Sequence, residues 1–588
     1  MKKLSLVLGM FLFLCGSVMA QRAISGTVID DIGEPLIGAS VLVKGSTVGT
    51  VTDIDGTYSL DIPTGEQTLV VSYTGYATKE ITTSASNIID ITLSEGLELT
   101  EVVVTGLGIK KEKKALGYGV STIGKESITG KQETDVARIL RGKATGVDIT
   151  QTSGMAGTGT NVIIRGYSSI TGTNQPLFVV DGVPFNTSTN VADNGQGGNA
   201  TASSRFLDLD PNNIAEISIL KGLSATVLYG EAGRNGVVLV TTKNGNVGEN
   251  KEKGFDVSIT QSLSQTEVSN LPEYQNTFGN GFGGNFGWFF SNWGPAFDVR
   301  GSNGIDADGQ IDHPLDQAQY NDEFPEFIGA DYPYQPFESV ENFFQKGLTS
   351  NTSVSIENNL GNGNAISATY SYLTDEGFTP RLDEVPNSLA RDGGASNYLR
   401  KHNFGLGGRT KLSNGINVKS TFNYTDSERR TPPTGSGFGG DGNGLFAALV
   451  FTPRSIDLNN LPYQSPVDGS NVYYRRGAAI QNPLWTLNNV NDTEKVRRFF
   501  ATTEVTYDLL PDNDFGLLAL YRVGIDQYTQ NTRREYNRGG PRQPDGELTT
   551  NDRLNRITDQ VFNLMYDYQI NEDLACLLYT SPSPRDRG

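Results

Sequence analysis

Polar and apolar residues alternate in short runs along the C-terminal half of this 588-residue chain. In the first run, Phe255, Val257 and Ile259 are interleaved with Asp256, Ser258 and Thr260. A period of two places successive side chains on opposite faces of a β-strand. Eight such runs lie at 255–263, 353–357, 366–372, 402–408, 416–424, 499–507, 515–525 and 557–568. This half is therefore predicted to form a large antiparallel sheet.

The connections between these runs bear on whether the apolar face meets a protein core or lipid. In a soluble sandwich that face points inward, whereas in a membrane barrel it points outward and the polar face lines the lumen. Segments 360–363 and 412–415 are short, but 264–352, 374–398, 425–495 and 526–554 are long and polar. Short turns at one end and long loops at the other favour the barrel. An interfacial aromatic girdle would then be formed by Tyr370, Tyr372, Phe422 and Tyr424.

Composition narrows the function classes further. The formal net charge of −19 argues against a nucleic-acid partner, because phosphate binding requires a basic surface. Beyond the N-terminus, no run approaches the roughly 20 apolar residues of a membrane-spanning helix. A membrane-spanning form of this chain must therefore be a β-barrel.

The first 20 residues are predicted to be a secretory signal peptide. Lys2 and Lys3 form its basic part, the residues from 4 to 15 its apolar part, and Val18–Ala20 the small-residue cleavage site. Cleavage after Ala20 leaves Cys576 as the one remaining cysteine, so no intramolecular disulfide is expected.

Residues 21–97 show short alternating runs separated by turn-forming residues, which predicts a small antiparallel β-sandwich of about seven strands. Asp53 and Asp55 raise the alternative of a calcium loop. We favour a tight turn, because Val51 and Ile62 would occupy the first and last ligand positions, where oxygen ligands belong.

Residues 116–248 alternate helical and strand patterns, including a helix at 134–141. Within them lie three phrases, Asn161-Val-Ile-Ile-Arg-Gly166, Phe178-Val-Val-Asp-Gly-Val-Pro184 and Asn235-Gly-Val-Val-Leu-Val-Thr-Thr242. Together these phrases resemble the α+β plug domain of TonB-dependent outer-membrane transporters of the SusC/RagA family. The sandwich likewise resembles the carboxypeptidase-regulatory-like (transthyretin-like) domain of many such proteins, through residues 33–39 and 49–56.

The linker at 98–115 contains a β-branched run at the position where the resembled family carries its TonB box. The run comprises Glu101, Val102, Val103, Val104, Thr105 and Gly106. An extended segment of this kind can add a strand to a partner's sheet edge. The alternative interpretation is that the run forms the last strand of the sandwich.

Other candidate residues have structural alternatives. Arg165 and Asp181 are predicted to act inside the plug or against the barrel wall rather than as substrate ligands. Aromatic side chains in a Gly-rich segment are candidate substrate contacts, or else they pack a long external loop; these are Phe282, Phe286, Trp288 and Trp293. No catalytic residues, metal ligands or cofactor are predicted.

The segment 249–575 is predicted to be the first part of a transmembrane β-barrel. Eight strands are too few to enclose a plug, since transporters with plugged lumens have about 22. The chain is therefore expected to stop less than halfway through its barrel. Residues 576–588, which contain Pro582 and Pro584, are predicted to be a non-native tail.

The resemblance implies active import of a large nutrient, an oligosaccharide or an oligopeptide, across the outer membrane. Its implied partners are TonB, a SusD-like surface lipoprotein and outer-membrane lipid, with the N-terminal domain in the periplasm. A siderophore or cobalamin receptor is the alternative within transport, and a secreted glycan-binding adhesin is the alternative outside it. An enzyme is disfavoured, because His313 and His402 are the only histidines and they lie in unrelated contexts.

Overall fold

The structure is a computed structural model that describes residues 21–579 with gaps. The gaps of five or more residues are 95–101, 105–109, 113–118, 188–202, 222–226, 245–252, 382–395, 434–443 and 475–480, and shorter ones occur elsewhere. The predicted signal peptide and residues 580–588 of the predicted tail lie outside the described residues. The chain divides into two compact units, the first comprising residues 1–103 with 111–116 and the second the remainder.

Among the described residues from 21 to 97, seven short strands form two sheets, as the alternation predicted. They are β1 (Gln21–Ile29), β2 (Ser40–Val43), β3 (Gly49–Val51), β4 (Thr57–Pro63), β5 (Thr68–Ser72), β6 (Lys79–Thr82) and β7 (Ile91–Thr92). One sheet has the order β4-β1-β7 and the other β3-β2-β5-β6, and all pairs are antiparallel except β1 with β7. Alternate residues such as Ile24, Val41 and Leu69 are buried in the core between the strands.

The turn at Asp53 is a tight turn, as favoured above. Its carboxylate accepts hydrogen bonds from the backbone of Asp55 and Thr57 and from the Thr57 hydroxyl. These bonds, led by the one from the hydroxyl, lower the pKa of Asp53. Among the described residues no group of His, Cys, Asp and Glu is arranged to hold a metal ion.

The linker contains β8 (Val102–Val104) and β9 (Lys110–Glu112), which form a two-stranded sheet of their own. The three valines therefore pair with a lysine-rich strand and not with a strand of the sandwich.

The plug is a mixed sheet with a short helix, as predicted. Its elements are β10 (Val120–Gly124), α1 (Val136–Ile139), β11 (Val147–Gln151), β12 (Thr160–Ile164), β13 (Leu177–Val180), β14 (Val183–Phe185), β15 (Ile214–Leu220) and β16 (Val237–Thr242). The sheet order is β10-β15-β16-β13-β14, in which only β13 and β16 are parallel, and β11 pairs with β12 separately. Asp135 caps α1 by accepting from the backbone of Ala137. Short 3₁₀ helices lie at Arg205–Asp208, Pro211–Asn213 and Val227–Gly233.

The C-terminal sheet is antiparallel throughout, and all eight predicted runs fall inside its strands. The described strands of this sheet are β17 (Gly254–Thr266), β22 (Gly347–Gly361), β23 (Asn364–Glu376), β24 (Tyr398–Lys411), β25 (Ile416–Thr431), β26 (Val490–Asp508), β27 (Phe515–Tyr536), β28 (Glu547–Asn571) and β29 (Leu574–Tyr579). The last of these includes residues 576–579, so the start of the predicted tail continues the sheet. The predicted loop 526–554 is mostly strand, because β27 and β28 stay in register up to the pair Tyr536–Glu547.

The insertions after β17 and β25 fold against each other, a point that the sequence did not indicate. They contain β18 (Gly281–Phe282), β19 (Asn285–Phe286), β20 (Gln310–Asp312), β21 (Asp331–Pro333), a 3₁₀ helix at Pro325–Phe327, α2 (Leu445–Val450) and α3 (Pro483–Asn489). The Arg454 guanidinium of one insertion donates to Glu341 at 2.9 Å and to Asn276 at 2.6 Å in the other. We call this joint structure the loop block.

No helix among the described residues is long and apolar enough to cross a membrane.

Candidate functional site

The C-terminal sheet has its polar face inward and its apolar face outward. On β23, Ser367, Thr369 and Ser371 are buried, whereas Ile366 is 55% exposed and Tyr370 is 46% exposed. Neighbouring strands repeat this pattern, with Asn403 and Thr421 buried and Phe404 and Phe422 exposed. A soluble sandwich would bury the apolar set instead. The inverted pattern favours the barrel among the two alternatives left open by the alternation.

Many of the contacts between the plug and the polar face are hydrogen bonds between short polar side chains. The Asn213 side-chain amide donates to the side-chain oxygen of Asn423 at 2.8 Å, and the Ser371 hydroxyl donates to the Asp210 carboxylate at 2.8 Å. Further contacts of this kind join Asn212 to Asn351, Asn244 to Ser367 and Thr369, and Ala156 to Asn397. Asp210 also caps the 3₁₀ helix at Pro211–Asn213 by accepting from the backbone of Asn212.

A buried charge cluster joins the plug to the wall at the 3₁₀ helix Arg205–Asp208. The Arg205 guanidinium donates to the Glu494 carboxylate of β26 at 2.6 Å, and both side chains are buried. Ser203 also donates to Glu494 at 2.6 Å, and Arg429 of β25 approaches it at 3.2 Å. Glu494 compensates two buried guanidinium groups, of which Arg205 also approaches Asp208 at 3.5 Å. Its removal would leave these buried positive charges with too little compensating negative charge.

A second part of the cluster centres on Arg498, also on β26. Its guanidinium forms a bidentate pair with Asp526 at 2.7 and 2.6 Å and reaches Asp208 of the plug at 3.0 Å. It also donates to the carbonyl oxygen of Asn186 and lies 3.3 Å from the ring centroid of Phe185. Arg498 therefore ties two separate segments of the plug to one wall strand.

Lys401 of β24 is fully buried against plug backbone. Its ammonium donates to the carbonyl oxygens of Leu207 at 2.9 Å and Leu209 at 3.1 Å. These carbonyls flank the end of the same 3₁₀ helix, so the wall supplies hydrogen-bond partners that the short helix itself lacks.

Two adjacent wall glycines give a matched test of this interface. A Cβ at Gly407 would lie 2.4 Å from the backbone oxygen of Asn244 in the plug, whereas a Cβ at Gly408 would meet nothing within 4 Å. We expect Gly407→Ala to displace the plug, at a cost of about 1–3 kcal/mol for overpacking, and Gly408→Ala to be nearly neutral. Hydrogen exchange at residues 237–244 measures the effect. Equal exchange in the two variants would contradict it.

The two predicted plug residues lie in different places and do not pair with each other. Asp181, in the β13–β14 turn, accepts from the Thr242 backbone at 2.9 Å and the Thr242 hydroxyl at 2.7 Å. Desolvation raises its pKa, against the opposing effect of these bonds. Arg165 is exposed in a turn after β12 with φ of 59°.

The four aromatic candidates divide into two pairs. Phe286 and Trp288 make an edge-to-face contact at 4.9 Å and pack against the core of the loop block, as in the packing alternative. Phe282 and Trp293 are 70% and 72% exposed, so they remain available to a ligand. Of the box candidates, Val102–Val104 lie in β8, while Glu101, Thr105 and Gly106 lie outside the described residues.

Comparisons with known proteins agree with this architecture. A CarboxypepD_reg-like domain model matches residues 24–104, and a TonB-dependent Receptor Plug Domain model matches residues 112–237. The TonB-dependent receptor SusC of Bacteroides thetaiotaomicron is 29% identical over 528 residues, covering 87% of this chain and 45% of SusC. These matches support a TonB-dependent receptor of the SusC/RagA family.

A further relative and a solved structure extend the comparison. TonB-dependent receptor P26 of Formosa agariphila is 38% identical over 259 residues, covering 44% of this chain and 24% of that receptor. The structure of the RagAB peptide importer in its open-open state matches with a TM-score of 0.56 at 17% identity, covering 80% of this chain and 47% of that chain. The present chain thus spans less than half the length of these relatives.

Proposed function

We propose that the protein is a TonB-dependent importer of a large nutrient, an oligosaccharide or an oligopeptide, across the outer membrane. The observation that carries this proposal is the plug seated on the polar inner face of a sheet whose outer face is apolar. A removable plug inside a wall of this kind is suited to gated passage. The mechanism requires no covalent chemistry and no cofactor.

The strand lengths support a wall that crosses the membrane and extends beyond it. A tilted strand needs about 9–11 residues to cross the hydrocarbon core. Strands β27 and β28 contain 22 and 25 residues. Their surplus adjoins the end that carries the loop block, which we place outside the cell. The opposite end, the sandwich and the linker are then periplasmic.

Energy would enter through the linker. Val102–Val104 form a strand, and strand addition to TonB would use the backbone groups of this segment. Its present pairing with β9 would be exchanged for pairing with TonB. A pull on the linker is transmitted to β10, the edge strand of the plug sheet.

The loop block offers a rigid platform for a SusD-like lipoprotein, the partner that the family resemblance implies. Its two insertions are joined by Arg454 and by a bond of 2.6 Å from Tyr320 to the carbonyl oxygen of Tyr473. The exposed Phe282 and Trp293 lie on this block, where they would contact substrate or the lipoprotein.

The second candidate, a siderophore or cobalamin receptor, shares the plug and the wall. The front sandwich and the match to SusC favour nutrient import over it. A secreted adhesin would have no use for a plug anchored by a buried charge cluster.

The proposal is tested by expressing the intact gene in cells with and without TonB and measuring uptake of labelled oligosaccharides and oligopeptides. We expect uptake of one class, which disappears without TonB although surface binding persists. Uptake that is equal in both strains would refute active import. Uptake of ferric siderophore or cobalamin alone would support the second candidate.

A further inference from the structure

A polar cavity of about 260 Å³ lies between the plug and the wall, close to the connection between β11 and β12. Its volume far exceeds that of one water molecule, which occupies about 30 Å³ of the liquid. Plug residues Glu133, Gln151 and Met155 line one side, and wall residues Asp375 and Phe378 line the other. The cavity is at the end of β23 that leads away from the short turn, on the side where the loop block lies.

Two carboxylates in this lining, those of Glu133 and Asp375, form no ion pair among the described residues. Glu133 makes no hydrogen bond or ion pair within the part of the chain that the structure describes. Asp375 accepts one hydrogen bond, from the Thr349 hydroxyl at 2.8 Å. A third carboxylate, that of Glu376, is already neutralised by Arg381.

The cation of the lining, Arg138, acts electrostatically on Asp375, but its hydrogen bonds are made elsewhere. Its guanidinium donates to the carbonyl oxygen of Thr158 at 3.0 Å and to the Thr134 hydroxyl at 3.5 Å, both within the plug. It forms no ion pair with Glu133 or Asp375 among the described residues. With the Glu376–Arg381 pair set aside, the lining carries two carboxylates and one guanidinium, so its net charge is negative and favours a cation from outside the protein.

We propose that this cavity is a substrate subsite for an ammonium group carried by the imported solute. Glu133 from the plug and Asp375 from the wall each accept a charge-assisted hydrogen bond from that group, while Met155 and Phe378 contact the adjoining carbon atoms. The inference rests on the proposed import function and gives the solute a positively charged substituent. An amino terminus, a lysine side chain and an amino sugar share this chemistry.

The subsite also links binding to the plug. Its two carboxylates belong to different parts of the molecule, so a bound ammonium bridges the plug and the wall. Removal of the plug by TonB would withdraw Glu133 and leave the ammonium with one carboxylate in place of two.

The test uses the intact, purified receptor and two pairs of probes, each measured by titration calorimetry. One pair is a lysine-containing oligopeptide and its fully N-acetylated form; the other is an oligomer of glucosamine and its N-acetylated form. For one pair, we expect the ammonium form to bind at least about 10-fold more tightly, as a charge-assisted bond implies. Glu133→Gln and Asp375→Asn should each remove most of that preference.

Glu133→Gln carries little risk to folding, because this carboxylate makes no hydrogen bond or ion pair among the described residues. Asp426→Asn is the matched control, since it removes one charge on an exposed ion pair with Arg497 outside the bore. A preference for the peptide or for the glucosamine oligomer identifies the source of the ammonium. Binding without an ammonium preference, no binding of any probe, or a preference unchanged in both variants would overturn the proposal.

Calorimetry does not depend on TonB, so the two proposals can fail separately. TonB-dependent uptake of a nutrient without any ammonium preference would reject the subsite alone. An ammonium preference in a protein that shows no TonB-dependent uptake would reject the import function and leave the binding site.

Discussion

Deletion of Glu101–Gly106 from the intact gene product is expected to reduce nutrient uptake to the level of cells that lack TonB, with binding affinity unchanged. Strand addition depends on backbone hydrogen bonds, and the deletion removes the strand Val102–Val104 that would supply them. Without that contact, the membrane potential, worth about 2.3 kcal/mol per charge per 100 mV, cannot act on the plug. Uptake of labelled substrate and equilibrium binding are measured on the same cells.

A deletion of residues 113–118 shortens the connection between the sandwich and β10 by the same number of residues and serves as the control. A sharper comparison uses Val103→Pro, which removes a backbone donor, and Val103→Thr, which keeps it. The proline variant should resemble the deletion and the threonine variant should resemble the parent. If the proline variant imports normally, these valines are not the TonB contact.

Glu494→Ala is expected to weaken the binding of the plug to the wall by about 3–5 kcal/mol, the usual cost of removing one partner of a buried ion pair. The substitution leaves Arg205 and Arg429 buried without their shared partner. Hydrogen exchange at residues 203–213 should accelerate accordingly. Cells that carry the variant should also admit a hydrophilic antibiotic too large for passive pores.

Glu428→Ala is the control for this prediction. Glu428 lies on the neighbouring strand and pairs with Lys495 at 3.0 Å, but both side chains are partly exposed to solvent. Exposed ion pairs contribute about 0–1 kcal/mol, so the plug of this variant should be held almost as firmly as in the parent protein. If the two variants exchange at the same rate, the buried cluster is not what holds the plug.

The strands of the wall could be predicted because period-two alternation is a local property. Every predicted run lies within an observed strand, but the upper parts of β27 and β28 were taken for a loop. The stretch Gln530–Tyr536 is polar on both faces and carries no alternation. It continues as strand because antiparallel backbone pairing persists once the register is set, whatever the side chains.

The buried charge cluster had no comparable local pattern. Arg205 and Glu494 are 289 residues apart, and nothing near either residue specifies the other. A partial indication was present in the wall strands, where Glu494 and Arg498 of β26 are four residues apart and so share one face. Charges on the inner face of a long strand suggest a polar occupant, but the identity of that occupant depends on the tertiary fold.

The aromatic candidates show a similar limit. Composition indicated a cluster of aromatic side chains but could not separate Phe286 and Trp288, which pack the loop block, from the exposed Phe282 and Trp293. That division depends on contacts with Tyr332 and Tyr334, roughly 45 residues further along the chain.

The amide and hydroxyl lining of the bore affects how easily the plug can leave. Bonds such as Asn213 to Asn423 and Ser367 to Asn244 can be exchanged for bonds to water at a net cost of about 0.5–1.5 kcal/mol each. Such a surface can be rewetted as it separates, one hydrogen bond after another. The largest resistance to separating the plug from the wall is then expected at the buried ion pairs around Glu494 and Arg498, because the remaining contacts are hydrogen bonds that water can replace.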